Sequence, residues 1–362
     1  MARKLAYDRL LFADVLLLTI LGLVVVYSST TAIVQRSGAE GNPFFFKQLV
    51  AAVVGLFLLV AIMQADYRWL RRPFVLYSVV AGVVMLLVAV LFGPEIQNTR
   101  RWFVVGGLSI QPSELAKLAL IPYIAYQIDK KKDRLDSAMF LVPTVGLTGV
   151  LCGLIALGTD MGSAVLLSIP VGLMIFVAGV SMRWLFLGGA VMACFGAIGV
   201  AVQPYRLARL TSFLHPEQNA LEGSYQLIQS LIAIGSGGLF GLGPGNSMQK
   251  LHFLPSPHAD FVFSIIAEEM GFLGATLFLA LFAVLVWRGV EAGLHAPDAF
   301  GRYLAWGFTS LLGVQTLLHV SVALGLVPTT GVPLPFISHG GSSLVTTLIA
   351  AGAILNVSEH SR

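Results

Sequence analysis

The sequence predicts an all-α, polytopic integral membrane protein with about ten transmembrane helices. Apolar residues make up 57% of the chain and charged residues 11%, whereas soluble domains are about 25% charged. Ten apolar segments, each long enough or nearly long enough to cross a bilayer, cover residues 11–34, 46–64, 74–93, 113–127, 138–157, 162–180, 185–203, 261–287, 303–326 and 341–357. No stretch between them is long enough to fold alone, so residues 1–362 are predicted to form a single transmembrane domain.

The first apolar segment follows a basic N-terminus, but it is too long for a signal-peptide core and lacks a small-residue cleavage site. It is therefore interpreted as an uncleaved span. The fourth segment is short and contains Glu114 and Lys117. Only a turn at residues 158–161 separates the fifth segment from the sixth, whereas the long polar stretch 204–260 separates the seventh from the eighth.

Lys and Arg residues predict the orientation, because cytoplasmic connections carry an excess of positive charge. Fourteen of them fall on the side that holds both termini and residues 128–137, and seven fall on the side that holds residues 204–260. Both termini are therefore predicted to be cytoplasmic, with residues 204–260 outside. The net charge of +4 reflects this bias and does not indicate binding to nucleic acid.

Cysteine usage and motifs exclude several classes of function. Cys152 and Cys194 both fall in apolar segments, which predicts core thiols and no disulfide framework. The sequence contains no metal-ligand cluster, no phosphate-binding loop of the Walker type and no dinucleotide-binding fingerprint.

Residues 204–260 form a polar, Gly-rich loop of about 57 residues, and loops of that length are usually functional. The loop carries charged and titratable side chains that include Arg206, Arg209, Lys250 and His258. A passive spacer would need none of them. The loop is therefore predicted to form the working face of a membrane enzyme.

Charged residues inside the apolar segments need a reason, because burying a charge in a bilayer is costly. Glu114 and Lys117 are three residues apart and share a helix face. One interpretation is an internal ion pair that neutralises both charges; the other is the floor of an outward-opening cavity where the pair orders a substrate headgroup. Glu268 and Glu269 lie deeper along their span, and a structural role between helices is favoured for both over a catalytic one.

Two aspartates lie at the predicted outer ends of spans. Asp160, in the turn between the fifth and sixth segments, is interpreted as a turn or cap residue, with substrate binding as the alternative. Asp260 begins the eighth span and is either a helix cap or a carboxylate that accepts a proton. In the second case His258 could orient it.

Residues 327–343 are apolar but contain three prolines and three glycines, so they cannot form a continuous helix. Irregular backbone near membrane depth is tolerated only where it is buried in protein or lines a wet cavity. This stretch is therefore predicted to be a re-entrant or outer loop beside the active cavity.

Short motifs along nearly the whole chain resemble the SEDS family (shape, elongation, division and sporulation), which contains FtsW, RodA and SpoVE. The motifs that carry the resemblance are Arg100–Phe103, Gln111–Glu114 with Lys117, Gly223–Gln226, Ala233–Gly238, Asn246–Lys250, Leu254–Pro255, His258–Phe261, Glu268–Gly271, Pro328–Gly331, Pro333–Ser338 and Gly340–Ser343. Their order on a ten-span topology with the large loop between spans seven and eight is more specific than any one of them.

The resemblance implies a peptidoglycan glycosyltransferase of the bacterial cytoplasmic membrane that polymerises lipid II, a disaccharide-pentapeptide on undecaprenyl pyrophosphate. It also implies a class B penicillin-binding protein as crosslinking partner, together with other divisome or elongasome proteins. Ser247–Lys250 and Ser28–Ser29 are more similar to FtsW than to RodA. A role in cell division is therefore expected, with a RodA-like role in elongation and cell shape as the alternative.

This chemistry assigns roles to the candidate residues. An inverting glycosyl transfer needs a base for the acceptor hydroxyl, and Asp260 fits that role. It also needs positive charge on the departing pyrophosphate, from basic side chains and a candidate divalent cation, Mg or Mn. The predicted substrate-binding residues are Glu114, Lys117, Arg101, Arg206, Arg209, Lys250, Asp160, His258 and Ser338.

The chain departs from the family pattern in four places. The differing residues are Ser256 (Glu in the family), Ala259 (Thr), His319 (Asn) and His339 (Tyr). Asp260 is retained, so the predicted base stands, whereas any role of the missing Glu or Tyr does not carry over.

A rival hypothesis from another class is a flippase that moves lipid II across the membrane. Such a transporter would also need a polar cavity between helices, but its key charges should lie near the midplane, as Glu268 and Glu269 do. It would not need a base at the outer mouth.

Overall fold

The computed structural model describes residues 7–37, 41–95, 99–105, 108–214, 224–251 and 259–360. These residues form twelve α-helices, three short 3-10 helices and one β-hairpin. The regular elements are α1 (Arg9–Ser37), α2 (Pro43–Gln64), α3 (Pro73–Leu91), β1 (Phe103–Val105), β2 (Leu108–Ile110), α4 (Pro112–Lys130), α5 (Ala138–Leu157), α6 (Met161–Ala178), α7 (Met182–Ala201), α8 (Pro204–Leu214), α9 (Tyr225–Ser236), α10 (Val262–Leu294), α11 (Ala299–Ala323) and α12 (Gly341–Glu359).

The all-α, multi-pass prediction is confirmed, and each of the ten apolar segments forms a helix: α1 to α7 and α10 to α12. Eight of the described helices are long and apolar enough to cross a membrane. The other two of the ten, α4 and α11, carry polar side chains in their interiors, among them Lys117, Gln315 and His319. The hairpin β1–β2, which pairs Phe103 with Ile110, was not predicted.

Helix α4 lies at the centre of the bundle, which explains how a short helix with charged residues is accommodated. Fifteen of its 19 residues are buried, and it packs on α3, α5, α6, α11 and α12. Protein rather than lipid therefore surrounds the charged turn at its start. Pro112 at the first position suits that start, because its missing N–H has no helical partner there.

Helix α7 is the opposite case, since it has no buried residue and packs mainly on α6 and α8. Cys194 on α7 is exposed, so the prediction of a core thiol is wrong at this position. A helix that faces lipid over most of its surface is as apolar as a core helix, and composition alone cannot separate the two. Cys152 on α5 is buried, as predicted.

The described residues between α7 and α10 contain the amphipathic helices α8 and α9, where the sequence predicted a loop. A further part of it packs into a break in α10 at Gly271, where φ is 68° and ψ is −171°. The amides of Leu242 and Gly243 donate to the carbonyls of Glu268 and Glu269, each at 3.0 Å. Backbone groups that the break removes from the helix are thereby satisfied within the protein.

Candidate functional site

Asp260 lies in a turn before α10 and does not cap the helix. The helix begins at Val262, the N-cap residue is Phe261, and no side chain makes a cap hydrogen bond there. Of the two interpretations of Asp260, the cap is therefore the one that the geometry does not support. The carboxylate is half-buried at the end of the bundle where α4, α6 and α12 also begin.

The surroundings of Asp260 change its affinity for protons. Burial raises the pKa of Asp260 above its ordinary value, and the nearby guanidinium groups of Arg101 and Arg209 lower it in part. A carboxylate with a raised pKa is a stronger proton acceptor, which is what general-base catalysis requires. Arg101 and Arg209, two of the predicted substrate-binding residues, therefore lie close enough to Asp260 to act on its charge.

The Pro-rich residues 327–340, called the 327–340 segment below, form no helix and lie against the turn that holds Asp260. The Ser338 hydroxyl donates to the carbonyl of Ala259 at 2.7 Å, and the Leu334 amide donates to the Ser338 hydroxyl at 2.8 Å. Asp260 Oδ1 is 4.0 Å from the point where a Cβ on Gly331 would stand. Ser338 thus holds the backbone next to Asp260, and its hydroxyl is engaged in contacts within the protein.

Several buried polar atoms at this end of the bundle have no hydrogen-bond partner in the part of the chain that the structure describes. Among them are Arg101 Nε, Thr159 Oγ1 and Thr330 Oγ1. The Arg209 guanidinium donates to the carbonyl of Thr329 at 3.2 Å, which holds it on the 327–340 segment. Buried polar groups without partners are uncommon in native proteins, so they fit a site that receives a polar ligand or water.

Asp160 is tied into the fold as a helix cap. Its Oδ1 accepts from the Ser163 amide at 3.1 Å at the start of α6. Its Oδ2 accepts from the Gln111 side-chain amide at 2.7 Å and from the Ser113 hydroxyl at 3.3 Å. The carboxylate therefore links the starts of α4 and α6, and the predicted cap role accounts for its contacts.

Glu114 and Lys117 form an internal ion pair, with Nζ and Oε1 2.7 Å apart and side chains 2% and 4% exposed. The Thr346 hydroxyl of α12 donates to the second oxygen of Glu114 at 2.8 Å, and Lys117 also donates to the Gln315 side chain at 3.4 Å. The interpretation as a neutralised pair fits this geometry. A small cavity between α4, α11 and α12 is lined in part by Lys117.

Lys250 belongs to a second polar cluster, at the break in α10. Its ammonium lies 2.7 Å from Glu269 Oε1 and also donates to the Ser28 hydroxyl at 3.2 Å. Glu268 accepts from the amide of Met248 at 2.9 Å. Both glutamates thus hold the chain around residue 248 against α10, which agrees with the structural role favoured for them.

The structure also separates Arg206 from the group around Asp260. Its guanidinium donates to the carbonyls of Gly199 at 2.9 Å and Ala156 at 3.1 Å, at the ends of α7 and α5. Cations are favourable at helix C-termini, so these contacts suffice to place it. His258 lies outside the described residues.

Sequence reasoning overlooked the amides and imidazole that hold the 327–340 segment. Gln48, Gln315 and His319 are each buried and each bond to its backbone. The signal that could have found them is a polar side chain inside an apolar span, which is costly unless it has a partner. From the sequence, His319 stood out only as a departure from the family pattern, and Gln48 and Gln315 had no predicted role.

A divalent cation finds few protein ligands at this site. Among the residues that the structure describes, no group of three His, Cys, Asp or Glu side chains could hold a metal ion. Asp160 is already satisfied by three hydrogen bonds, whereas the Asp260 carboxylate could share an ion with substrate phosphates. Such a ligand role would compete with accepting a proton.

Fold and site together define an integral membrane protein with a half-buried carboxylate and two arginines at one end of an apolar helix bundle. The model of the cell cycle protein family FtsW/RodA/SpoVE matches residues 8–362. The chain therefore belongs to the FtsW/RodA/SpoVE family, and the resemblance carried by its motifs is confirmed.

Individual relatives agree with this membership over nearly the full length of both chains. Stage V sporulation protein E of Bacillus subtilis is 40% identical, covering 99% of this chain and 99% of the relative. A probable peptidoglycan glycosyltransferase FtsW of Trichlorobacter lovleyi is 39% identical, covering 98% and 94%. A chain in a solved peptidoglycan synthase complex, described as coordinating polymerization and crosslinking, is 34% identical and superimposes with a TM-score of 0.79 over 98% of both chains.

Proposed function

We propose that this protein polymerises lipid II into glycan strands at the outer face of the cytoplasmic membrane, with Asp260 as the general base. The class of enzyme, a peptidoglycan glycosyltransferase, follows from the family and from the relatives of that name. The observation that carries the residue assignment is the state of Asp260: half-buried, flanked by Arg101 and Arg209, and not used as a helix cap.

The reaction would proceed by inversion at the donor sugar. Asp260 takes the proton of the acceptor hydroxyl while that oxygen forms a bond to the anomeric carbon. The bond between the anomeric carbon and the pyrophosphate breaks, and its electron pair leaves with the pyrophosphate. Arg101 and Arg209 would stabilise the charge that develops there. A pyrophosphate leaves without a proton, so a second acidic group is not required, unlike in glycoside hydrolysis.

The finer features of the prediction are part of the same proposal. The excess of Lys and Arg near one end of the bundle supports cytoplasmic termini and an outward-facing Asp260. The relatives named FtsW, together with Ser247–Lys250, support an FtsW-like role in cell division over one in elongation. The flippase hypothesis needs charges available near the midplane, and Glu268 and Glu269 are instead both engaged by the chain at residues 247–250.

A crosslinking partner is also proposed, a class B penicillin-binding protein. The similar chain in a peptidoglycan synthase complex supports it, because that complex is described as joining polymerization to crosslinking. In the described part of the chain, the connections between the helices are too short to form a separate crosslinking domain. Co-purification from detergent with the partner's full chain tests this, and activity that is unaffected by a partner that never co-purifies would contradict it.

Replacing Asp260 with Asn tests the central assignment. Asn keeps the size of the side chain and one acceptor oxygen, but it replaces the other oxygen with an NH2 group and cannot take a proton. We expect Asp260→Asn to insert and fold normally yet to lose about 10²–10⁴ in rate, the usual contribution of a general base. The measurement is glycan polymer formed from lipid II by purified protein. Activity within a few-fold of wild type would mean that Asp260 is not the base.

A further inference from the structure

The 327–340 segment takes its position from side chains of neighbouring helices. Its buried carbonyls need partners that a non-helical backbone cannot supply by itself. The Gln48 amide donates to the carbonyl of Ser338 at 3.2 Å, and the His319 ring bonds to the carbonyl of Val332 at 2.9 Å through Nδ1. The Gln315 amide donates to the next carbonyl, that of Pro333, at 2.8 Å.

Gln315 differs from the other two because its second end meets the buried ion pair. Its side-chain oxygen accepts a hydrogen bond from Lys117 Nζ at 3.4 Å, and Lys117 is paired with Glu114 at 2.7 Å. Gln315 is 1% exposed, and its side chain and that of Lys117 also line the small cavity between α4, α11 and α12. One amide thus connects the central helix α4, through α11, to the backbone of the 327–340 segment.

The chemistry of the two neighbours allows few side chains at position 315. An ammonium only donates and a carbonyl only accepts, so the bridging group must accept on one side and donate on the other. The amide of Gln does both, and its orientation is therefore fixed. An ionised carboxylate of the same size would place an acceptor against the Pro333 carbonyl. An apolar side chain would leave that carbonyl without its donor from position 315 and would leave Lys117 with Glu114 alone.

The backbone that Gln315 holds lies only a few residues from the contacts between the 327–340 segment and the turn of Asp260. Pro333 lies next to Leu334, whose amide bonds to the Ser338 hydroxyl, and that hydroxyl donates to the carbonyl of Ala259. On the other side of Pro333, Gly331 lies against the Asp260 carboxylate. Displacing the Pro333 carbonyl would therefore move both contacts of the turn that holds the carboxylate.

We propose that Gln315 is a positioning residue for catalysis, which sets the placement of Asp260 by anchoring Pro333 to the ion pair of Glu114 and Lys117. The inference rests on the proposed function, since it assumes that Asp260 is the base. Gln315 acts through the 327–340 segment and does not touch the substrate. Its loss should therefore affect the rate of the chemical step and leave substrate binding nearly unchanged.

Two substitutions in the full-length protein test this proposal. Gln315→Met has nearly the same length and breaks both hydrogen bonds. Gln315→Glu in its ionised form keeps a contact to Lys117 and replaces the donor to Pro333 with an acceptor, and it adds a buried negative charge. Small displacements of a catalytic group cost up to about 100-fold in rate, so we expect kcat to fall about 10- to 100-fold in both variants. The KM for lipid II should stay within about threefold of wild type.

Gln127→Met is the matched control, because Gln127 is another buried glutamine, on α4, whose amide donates to the Tyr123 hydroxyl and not to the 327–340 segment. Its kcat should stay near wild type at a similar thermal midpoint. Ser338→Ala in combination with Gln315→Met should cost less than the product of the single effects, because both act on one segment.

The proposal is overturned by wild-type kcat in either Gln315 variant, or by a raised KM at unchanged kcat, which marks a lost contact with substrate. If one of the two Gln315 variants unfolds, the kcat and KM of the other are compared with those of the wild type. An active Asp260→Asn protein would refute the base itself, whereas inactive Asp260→Asn with fully active Gln315→Met would refute only the positioning role.

Discussion

At the scale of single residues, the buried ion pair couples its charges to specific neighbours on other helices. Glu114 accepts from Thr346, and Lys117 donates to Gln315. A buried pair gives little net stability, but losing one partner leaves an uncompensated charge. The contribution of this pair to folding therefore depends on its net charge, whereas its contribution to the site depends on which group faces Thr346 and which faces Gln315.

Reversing the pair separates these two properties. Removing either charge should destabilise the protein by about 3–5 kcal/mol. The double variant Glu114→Lys with Lys117→Glu restores neutrality, so we expect folding to recover, measured as the thermal midpoint in detergent. Polymerisation should remain impaired, because Glu at position 117 would place an acceptor against the acceptor oxygen of Gln315. Full recovery of polymerisation would show that only the net charge matters.

At the scale of elements, hydropathy predicts helices well and their interruptions poorly. All ten apolar segments are helices, since burying backbone in lipid leaves few alternatives. The break in α10 escaped prediction because Gly271 is a single glycine between apolar residues, and what opens the helix there is the arriving backbone of residues 238–243. That contact lies far away in sequence and leaves no local pattern.

In the candidate site, too, residue types could be predicted from the local sequence, whereas contacts between distant segments could not. Asp260, Arg101 and Arg209 could be named from their types and places at a helix end or in polar connections, and the structure brings them together. Lys250 and Arg206 were grouped with them because they share one loop. The loop folds into separate pieces, so Lys250 pairs with Glu269 and Arg206 with helix ends.

The break in α10 should depend on the absence of a side chain at Gly271. A Cβ there would lie 2.3 Å from the amide nitrogen of Gly241, and the positive φ disfavours any L-residue. We expect Gly271→Ala to destabilise the protein by about 1–3 kcal/mol through backbone strain. Thermal unfolding in detergent is the measurement. Gly172→Ala is the control, since a Cβ at Gly172 within α6 meets no atom within 4 Å; equal midpoints for the two variants would contradict the strain.

At the scale of the whole molecule, the orientation in the membrane is a prediction from charge alone. We expect residue 131 to face the cytoplasm and residue 219 to face outward, because Lys and Arg favour the cytoplasmic side. Single variants Lys131→Cys and Asn219→Cys can be treated in intact cells with an impermeant thiol reagent. Only the second should be labelled, with the parent protein as control. Labelling at position 131 would reverse the topology and place Asp260 inside.

The bundle as a whole is built of helices with very different amounts of protein around them, and α7 is at one extreme. It has no buried residue, and only a few of its side chains, such as Trp184, Leu185 and Met192, pack against the core. Tilting α7 therefore exchanges mostly lipid contacts for other lipid contacts, and hydrophobic mismatch with the surrounding bilayer adds to these few packing contacts in setting its tilt. The length of the acyl chains in the host membrane should therefore change the angle between α7 and α6 more than the angles between the buried helices.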